Sequence, residues 1–354
     1  MGVMRLAILI LSAMTLAACA STQQPSQFTL AARQASPTLW PSYPEVPRFQ
    51  YLGQLSGEAN FVSEKREAGR GKRFLTWLAG LRDEAPDVVT LLRPQSGMVD
   101  VETQRILVTD VGLNAVMVFD EQAGELELWY QADQQQLFAA PIAIVKISPD
   151  EYLVSDAELG RLVRLSGQGQ PLGSITSEKL LRPAGMVFDA VEDCIYVADT
   201  AADDIKIFSP QGLLMGVIGE PGEGIGQFNA PTHLSLRGRN LVVSDTFNSR
   251  VQMLTIDGEN VRTIGERGLF VGNFVRPKGV ASDSEGNIYV IESLFDHLLI
   301  YNDSGELLLS IGGTGSLVGQ FYLPAGVWVD QQDRVFIADM LNRRVIILQY
   351  LGST

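Results

Sequence analysis

The sequence predicts an all-β fold, a six-bladed β-propeller, and two observations favour it. Six segments open with a proline followed by an apolar strand, and consecutive prolines lie 47, 42, 48, 46 and 47 residues apart. Within each segment, short β-branched runs alternate with turn residues, which is the pattern of short strands. Four such strands per repeated unit are typical of a propeller, in which each unit forms one blade.

The first two strands of each unit are the most regular. The first strand follows one of six prolines: Pro94, Pro141, Pro183, Pro231, Pro277 and Pro324. The second strand ends in an acidic residue: Asp110, Asp156, Asp199, Asp245, Glu292 and Asp339. Because these carboxylates recur at the same turn of every unit, we interpret them as caps of backbone N–H groups. A cation site built from several of them is the alternative.

The last two strands of the units predict how the ring closes. Third strands include 251–254 and 345–348, and fourth strands end at glycine, as in 217–219 and 310–312. The sixth unit stops at Tyr350, so it lacks a fourth strand. Residues 48–53 form a matching strand ahead of the first unit. We predict that this N-terminal strand closes the last blade, because closure removes exposed sheet edges.

The turn after the second strand resembles the NHL repeat family. Residues 245–251 (DTFNSRV) and 339–345 (DMLNRRV) follow that family's Asp-x-x-Asn-x-Arg-Val pattern, and 224–229 and 315–321 match its Gly-x-Gly-x-Phe lead-in. The resemblance covers residues 93–350 and implies a propeller of NHL-type repeats. An Asp–Arg bridge in every blade is not expected, because the arginine is present at Arg161, Arg250 and Arg344 but replaced by Ala115, Asp204 and His297.

A targeting segment precedes the repeats. Arg5 is followed by a short apolar run that ends at residues 16–19 (LAAC), and the run is too short to span a bilayer comfortably. This ending resembles the lipobox of bacterial lipoproteins, which implies a signal peptide over residues 1–18 and a diacylglycerol on Cys19. An ordinary cleaved signal peptide is the alternative. Ala20 stands where inner-membrane lipoproteins carry aspartate, so we predict an outer-membrane lipoprotein that faces the periplasm.

The remaining chain divides at residue 48. Residues 19–47 comprise the lipidated cysteine and a polar stretch that predicts a flexible tether, and residues 48–354 form the propeller. An insertion over residues 56–90 interrupts the strand pattern, and its residues 64–73 carry five basic side chains.

The insertion also predicts one short helix. Apolar residues follow the basic stretch at helical spacing: Phe74, Trp77, Leu78 and Leu81. Packing of this helix on the propeller is one interpretation. The other is an interaction helix that contacts anionic lipid or an acidic partner beside the anchor.

Composition excludes several functions. The formal net charge of −14 argues against nucleic acid, because phosphate backbones are bound by basic surfaces. The chain has two histidines, His233 and His297, whereas a catalytic zinc takes three protein ligands. Peptidylglycine amidating lyases, which are NHL-like propellers, hold zinc with several histidines around the channel. We therefore predict no metal or other cofactor and no catalytic residues.

Two functions of different classes remain. The first is a monomeric, non-enzymatic binding module for a protein, peptide or glycan of the envelope, anchored to the membrane by its lipid. The second is a metal-dependent lyase or hydrolase, amidating-lyase-like or lactonase-like, with its site in the central channel. Both place the site where the innermost strands and their loops converge. The predicted residues of this face are His233, Phe247, Asn248, Phe295 and Asn342.

Overall fold

The protein is a six-bladed β-propeller. The computed structural model describes residues 26–30, 37–62 and 88–352, and their regular structure is strand apart from three single-turn 3-10 helices at Glu58–Asn60, Thr246–Asn248 and Met340–Asn342. Each repeat of the sequence forms one antiparallel sheet, and the predicted fold class is confirmed.

The blades follow one another along the chain, each running from its innermost to its outermost strand. Blade 1 is β5 to β8, Pro94–Asp100, Arg105–Asp110, Ala115–Asp120 and Glu125–Trp129; blade 2 is β9 to β12, Pro141–Ser148, Glu151–Asp156, Arg161–Ser166 and Pro171–Ile175; blade 3 is β13 to β16, Pro183–Asp189, Cys194–Asp199, Asp204–Phe208 and Leu214–Ile218. Blade 4 is β17 to β20, Pro231–Arg237, Asn240–Asp245, Arg250–Thr255 and Asn260–Ile264; blade 5 is β21 to β24, Pro277–Ser282, Ile288–Glu292, His297–Tyr301 and Leu307–Gly312; blade 6 begins with β25 to β27, Val327–Val329, Arg334–Asp339 and Arg344–Tyr350.

The apolar core lies between blades. The first strands of neighbouring blades contact one another in a closed cycle around a central channel. Six clusters of buried side chains fill the six spaces between adjacent sheets. Because the second strand of each blade has a neighbour on both faces, β18 and β22 are buried along nearly their whole length. Continuous β-branched and aliphatic runs suit such doubly covered strands.

An N-terminal strand completes blade 6. Strand β3, Phe49–Leu55, pairs antiparallel with β27 and so becomes the fourth strand of a sheet whose other three strands come from the C-terminus. Phe49 is 2% exposed and Leu55 0%. The predicted closure is confirmed, and the strand continues two residues past Gly53. At a bulge opposite Ile347 and Leu348 the strand changes face, so that Phe49 and Tyr51 pack between blades 5 and 6 and Leu55 packs between blades 6 and 1.

Two short strands lie within residues 19–47, the stretch for which the sequence predicts a tether. Strand β2, Leu39–Trp40, pairs with β3 as a fifth strand on blade 6. Strand β1, Gln27–Phe28, pairs with β4, Phe61–Val62, and the Phe28 and Phe61 rings lie 5.5 Å apart. These segments add apolar side chains to the propeller, which residue composition alone did not reveal.

Two predictions fall on residues outside the described part of the chain. These are the lipid anchor at Cys19 and the inserted helix with Phe74, Trp77, Leu78 and Leu81. Within 26–30, 37–62 and 88–352, no helix is long and apolar enough to cross a membrane.

The acidic residue that ends each second strand caps the linker before its own blade. Asp110 Oδ2 accepts a hydrogen bond from Leu92 N at 2.7 Å, and Glu292 Oε2 accepts one from Val275 N at 2.8 Å. Asp339 Oδ1 does the same for Tyr322 N at 2.7 Å. The capping interpretation accounts for these contacts, since the oxygens are used by backbone donors. Only some blades add the arginine: Arg250 pairs with Asp245 and Arg344 with Asp339, both at 2.8 Å.

Candidate functional site: a groove on the upper face and the channel beside it

The central channel has a volume of about 380 Å³ and is lined by the innermost strands. The residues two positions after the prolines start this lining on blades 1 to 4: Ser96, Ala143, Gly185 and His233. Further along, apolar side chains such as Met98, Val145 and Trp328 follow. Small residues are needed where backbones of adjacent blades approach, and an added Cβ on Gly185 would lie 2.7 Å from His233 Cα.

His233 is an unsatisfied polar group in this lining. The residue is 9% exposed, and neither Nδ1 nor Nε2 has a hydrogen-bond partner. Burial, with a smaller contribution from the charge of Lys278, lowers the pKa of the imidazole to about 3. The ring is therefore neutral at physiological pH, with one N–H donor and one acceptor nitrogen.

The upper face is the end of the ring that carries the turns between second and third strands and the linkers between blades. On it lies an apolar depression that we call the blade 4–5 groove. Two cavities, of about 270 Å³ and about 470 Å³, form the groove and share Leu269 and Leu294. Phe270 and Val271 line the first, and Phe247 lines the second.

The groove side chains are unusually open to solvent for apolar groups. Phe270 is 82% exposed, Leu269 80%, Val271 63% and Phe247 57%. They come from the linker into blade 5 and from the turn of blade 4, which the ring packing brings together. Contiguous exposed apolar surface of this kind marks interaction sites in soluble proteins.

Two arginines border the groove. Arg267 donates from Nη2 to the Phe247 carbonyl oxygen at 2.8 Å and from Nε to Ser249 Oγ at 3.2 Å, so it ties the linker to the turn of blade 4. Arg276 is exposed, lines the larger cavity, and its guanidinium pairs with no carboxylate of the described chain. The groove therefore combines aliphatic and aromatic walls with an available cation.

The structure separates the five predicted residues into three places. Phe247 and Phe295 line the two cavities of the groove. His233 lies in the channel. Asn248 and Asn342 instead hold linkers: their Nδ2 atoms donate to the carbonyl oxygens of Gly222 at 2.8 Å and Gly315 at 2.7 Å.

Sequence reasoning missed the most exposed part of the groove, residues 269–271. Its signal was an apolar triplet, Leu-Phe-Val, enclosed by Gly268 and Gly272 in a linker that forms no strand. Apolar residues in such a turn-rich segment have no place in a repeat core.

The residues present do not fit a zinc site of the amidating-lyase kind. His233 lies on the innermost strand of blade 4, whereas His297 begins the third strand of blade 5 and lines the groove. Across the ranges that the structure describes, no three His, Cys, Asp or Glu side chains are grouped to hold a metal ion.

Comparison with known proteins shows the fold. No family model and no curated protein matches the sequence. An auxiliary nutrient-binding protein from Bacteroides thetaiotaomicron is similar in structure, with a TM-score of 0.60, 11% identity, and coverage of 75% of this chain and 71% of that one. Virginiamycin B lyase from Staphylococcus aureus has a TM-score of 0.53, 13% identity, and coverage of 73% and 95%. A chain of a nidogen/laminin complex has a TM-score of 0.51, 16% identity, and coverage of 64% and 84%.

Proposed function

We propose that this chain is a lipid-anchored, non-enzymatic binding module of the bacterial envelope, and that it holds a partner protein or peptide in the blade 4–5 groove. One observation carries the proposal: four apolar side chains, Phe247, Leu269, Phe270 and Val271, are each more than half exposed in one depression. Burying such groups stabilises a complex by roughly 25 cal/mol per Å² of apolar area removed from water.

The chemistry of the groove favours a polypeptide over a glycan. Its most exposed walls are aliphatic and aromatic, and its polar atoms are largely engaged by its own linkers, as with Arg267. A hydroxyl-rich glycan would lose hydrogen bonds to water that these walls cannot replace. Apolar side chains of a protein or peptide would gain from the same burial.

The envelope location rests on the N-terminal sequence. A diacylglycerol on Cys19 would hold the propeller at the outer membrane, facing the periplasm. More than one buried acyl chain is needed for stable attachment, and a diacylglycerol supplies two. The bacterial nutrient-binding protein shows that this fold accommodates a binding role. No contact among residues 26–30, 37–62 and 88–352 favours the metal-dependent lyase or hydrolase.

Photocrosslinking in the native envelope tests the groove. A photoreactive phenylalanine at position 270 is expected to crosslink to one protein, identified by mass spectrometry. The same group at Val191, which is 86% exposed in a turn at the opposite end of blade 3, is the matched control. Equal crosslinking at both positions, or crosslinking only at 191, would contradict the proposal.

Cys19→Ser is expected to move the protein into the soluble fraction, and retention in the membrane would contradict the anchor.

A further inference from the structure

A further cavity lies between blade 5 and the chain segment that connects β2 to β3. We call this segment, residues 41–48, the strap, and the cavity beside it the strap cavity. The facing wall comes from the two outer strands of blade 5, β23 and β24. The strap cavity has a volume of about 480 Å³, which is within the range of small-molecule sites in proteins. Its lining shares no residue with the channel or with the blade 4–5 groove.

Apolar side chains form most of the strap cavity. Phe49 and Ile300 line it and are each 2% exposed. Val46 of the strap and Leu308 of β24 line it as well, but they are 58% and 54% exposed. A ligand with apolar groups would remove these two side chains from water, which favours binding. The walls of the cavity therefore suit an apolar ligand.

Two side chains of opposite charge line the same cavity without pairing. Glu45 is exposed, and neither a hydrogen bond nor an ion pair joins its carboxylate to a residue within 26–30, 37–62 or 88–352. Arg48 is half-buried, and its Nη1 donates to the Gly352 carbonyl oxygen at 3.0 Å, while no carboxylate of the described chain pairs with it. A guanidinium has five N–H donors, so Arg48 retains donors for a ligand. Glu45 and Arg48 together leave room for a group that contacts both charges.

Backbone hydrogen bonds hold Arg48 in position beside the cavity. Its N–H donates to the Trp40 carbonyl oxygen at 2.7 Å, and its carbonyl oxygen accepts from Leu351 N at 2.8 Å. The residue is thus fixed to β2 on one side and to the C-terminal end of β27 on the other. A site whose backbone is already ordered costs less entropy to occupy.

We propose that the strap cavity binds a short apolar peptide with both ends free. The α-carboxylate of the peptide accepts hydrogen bonds from Arg48, its α-ammonium donates to Glu45, and its side chains contact the apolar walls. Such charge-assisted hydrogen bonds are stronger than neutral ones. An acyl-chain anion would satisfy Arg48 and leave Glu45 unpaired, so the two charges favour a zwitterion. This inference goes beyond the proposed function, because it assigns a second ligand to a site apart from the groove.

Three forms of one dipeptide test the two charged contacts. Leu-Leu is titrated into the intact protein by calorimetry, beside acetyl-Leu-Leu, which lacks the ammonium, and Leu-Leu amide, which lacks the carboxylate. Each capped form is expected to bind about tenfold more weakly than the free dipeptide. Absence of Leu-Leu binding, or equal binding of all three forms, would overturn the proposal. Tighter binding of acetyl-Leu-Leu would indicate an amphipathic anion and would overturn it as well.

Substitutions assign each contact to its residue. Arg48→Gln is expected to remove the difference between Leu-Leu and its amide, and Glu45→Gln the difference between Leu-Leu and its acetylated form. Arg262→Gln is the matched control, because Arg262 also donates from Nη1 to a backbone carbonyl oxygen, that of Ser304 at 3.0 Å, but lies outside the cavity lining. Unchanged differences in the Arg48 and Glu45 variants would place the peptide elsewhere and overturn the site.

A change in the apolar wall keeps the test available if Arg48→Gln does not fold. Leu308→Asp alters a side chain that is already 54% exposed, and it is expected to weaken Leu-Leu binding at least about tenfold, because it places a carboxylate against the apolar ligand. Leu213→Asp is the matched control, since Leu213 is 70% exposed on blade 3 and lies outside the cavity lining. Equal binding by both variants would overturn the proposal.

Discussion

At the residue scale, a buried polar side chain either bonds neighbouring backbone groups and orders them, or lacks a hydrogen-bond partner and lowers the stability of the fold. Glu292 is of the first kind: it is 1% exposed, and its oxygens accept hydrogen bonds from the backbone N–H groups of Val275, Arg276 and Leu294. Burial raises the pKa of this carboxyl, while those N–H groups act against the rise. Because it orders the linker behind residues 269–271, Glu292 also supports the wall of the groove.

His233 is the opposite case, a buried polar residue that its neighbours do not satisfy. Such a group costs about 1–3 kcal/mol relative to a paired one. His233→Leu is therefore expected to leave the free energy of unfolding at pH 8 unchanged or to raise it. Urea unfolding in phosphate-free buffer measures the effect, and a loss of several kcal/mol would show that the imidazole has a structural partner.

The same substitution, His233→Leu, is expected to change how the free energy of unfolding depends on pH. The pKa of His233 is lowered to about 3 in the folded protein by burial and by Lys278, against an ordinary value of about 6.5. Between these values the unfolded chain binds more protons, so the wild-type protein loses stability as pH falls, by at most about 1.4 kcal/mol per unit. His233→Leu is expected to make this fall shallower between pH 6.5 and 4.5. Parallel curves for the two proteins would contradict the buried neutral imidazole.

At the element scale, strand β3 joins the two ends of the chain. Its side chains enter the cores on both sides of blade 6, and Phe49, Tyr51 and Leu55 are at most 7% exposed. Tyr350 packs over Phe49 with ring centroids 5.2 Å apart. Without β3, the outer edge of β27 and the cores on both sides of blade 6 would be open to water.

Removal of β3 is expected to abolish cooperative folding. Burying each large apolar side chain contributes about 1.5–3 kcal/mol, and three of them approach the 5–15 kcal/mol net stability typical of a domain. A chain that starts at residue 56 is therefore expected to lose its cooperative thermal transition. A chain that starts at residue 48 keeps β3 and loses only β1 and β2; it is the control, with a smaller decrease in melting temperature. Similar melting of both chains would contradict the role of β3 as a clasp.

At the scale of the whole molecule, glycines set the radius of the ring. An added Cβ on Gly326 would lie 2.1 Å from Gln95 O, and one on Gly279 would lie 2.5 Å from Val327 N. The contacts of both join backbones of neighbouring blades. Because six blades close one circle, a wider spacing between two blades strains the other five interfaces between blades.

Gly326→Ala is expected to destabilise the propeller by about 1–3 kcal/mol, the usual cost of overpacking. Gly216→Ala is the matched control on an outermost strand, where the nearest atom to an added Cβ is Ile207 Cδ1 at 3.4 Å. That substitution is expected to be neutral or slightly stabilising, because alanine loses less backbone entropy than glycine. Urea unfolding compares the two, and equal effects would contradict the steric argument.

Sequence alone was sufficient for the blade number, the ring closure and the acidic caps. These features depend on local signals that recur at a constant period: a proline before the first strand, an acidic residue after the second, and glycine at the turns. The missing fourth strand of blade 6 and the extra strand at 48–53 were visible for the same reason. The pairing of β1 with β4 and of β2 with β3 was not visible in the sequence, since two-residue strands carry no pattern.

The site depended on tertiary structure. Phe247 and Phe295 line the groove, whereas Asn248 and Asn342, which occupy equivalent turns of blades 4 and 6, donate to linker carbonyl oxygens. Residues 269–271 become a groove wall only because blade 5 packs beside blade 4. His233 lines the channel only because the innermost strands of neighbouring blades, such as β17 and β21, pack against one another around the ring. The sequence repeat determines the strands and caps that all blades share. The packing of the ring determines which side chains that differ between blades lie next to one another.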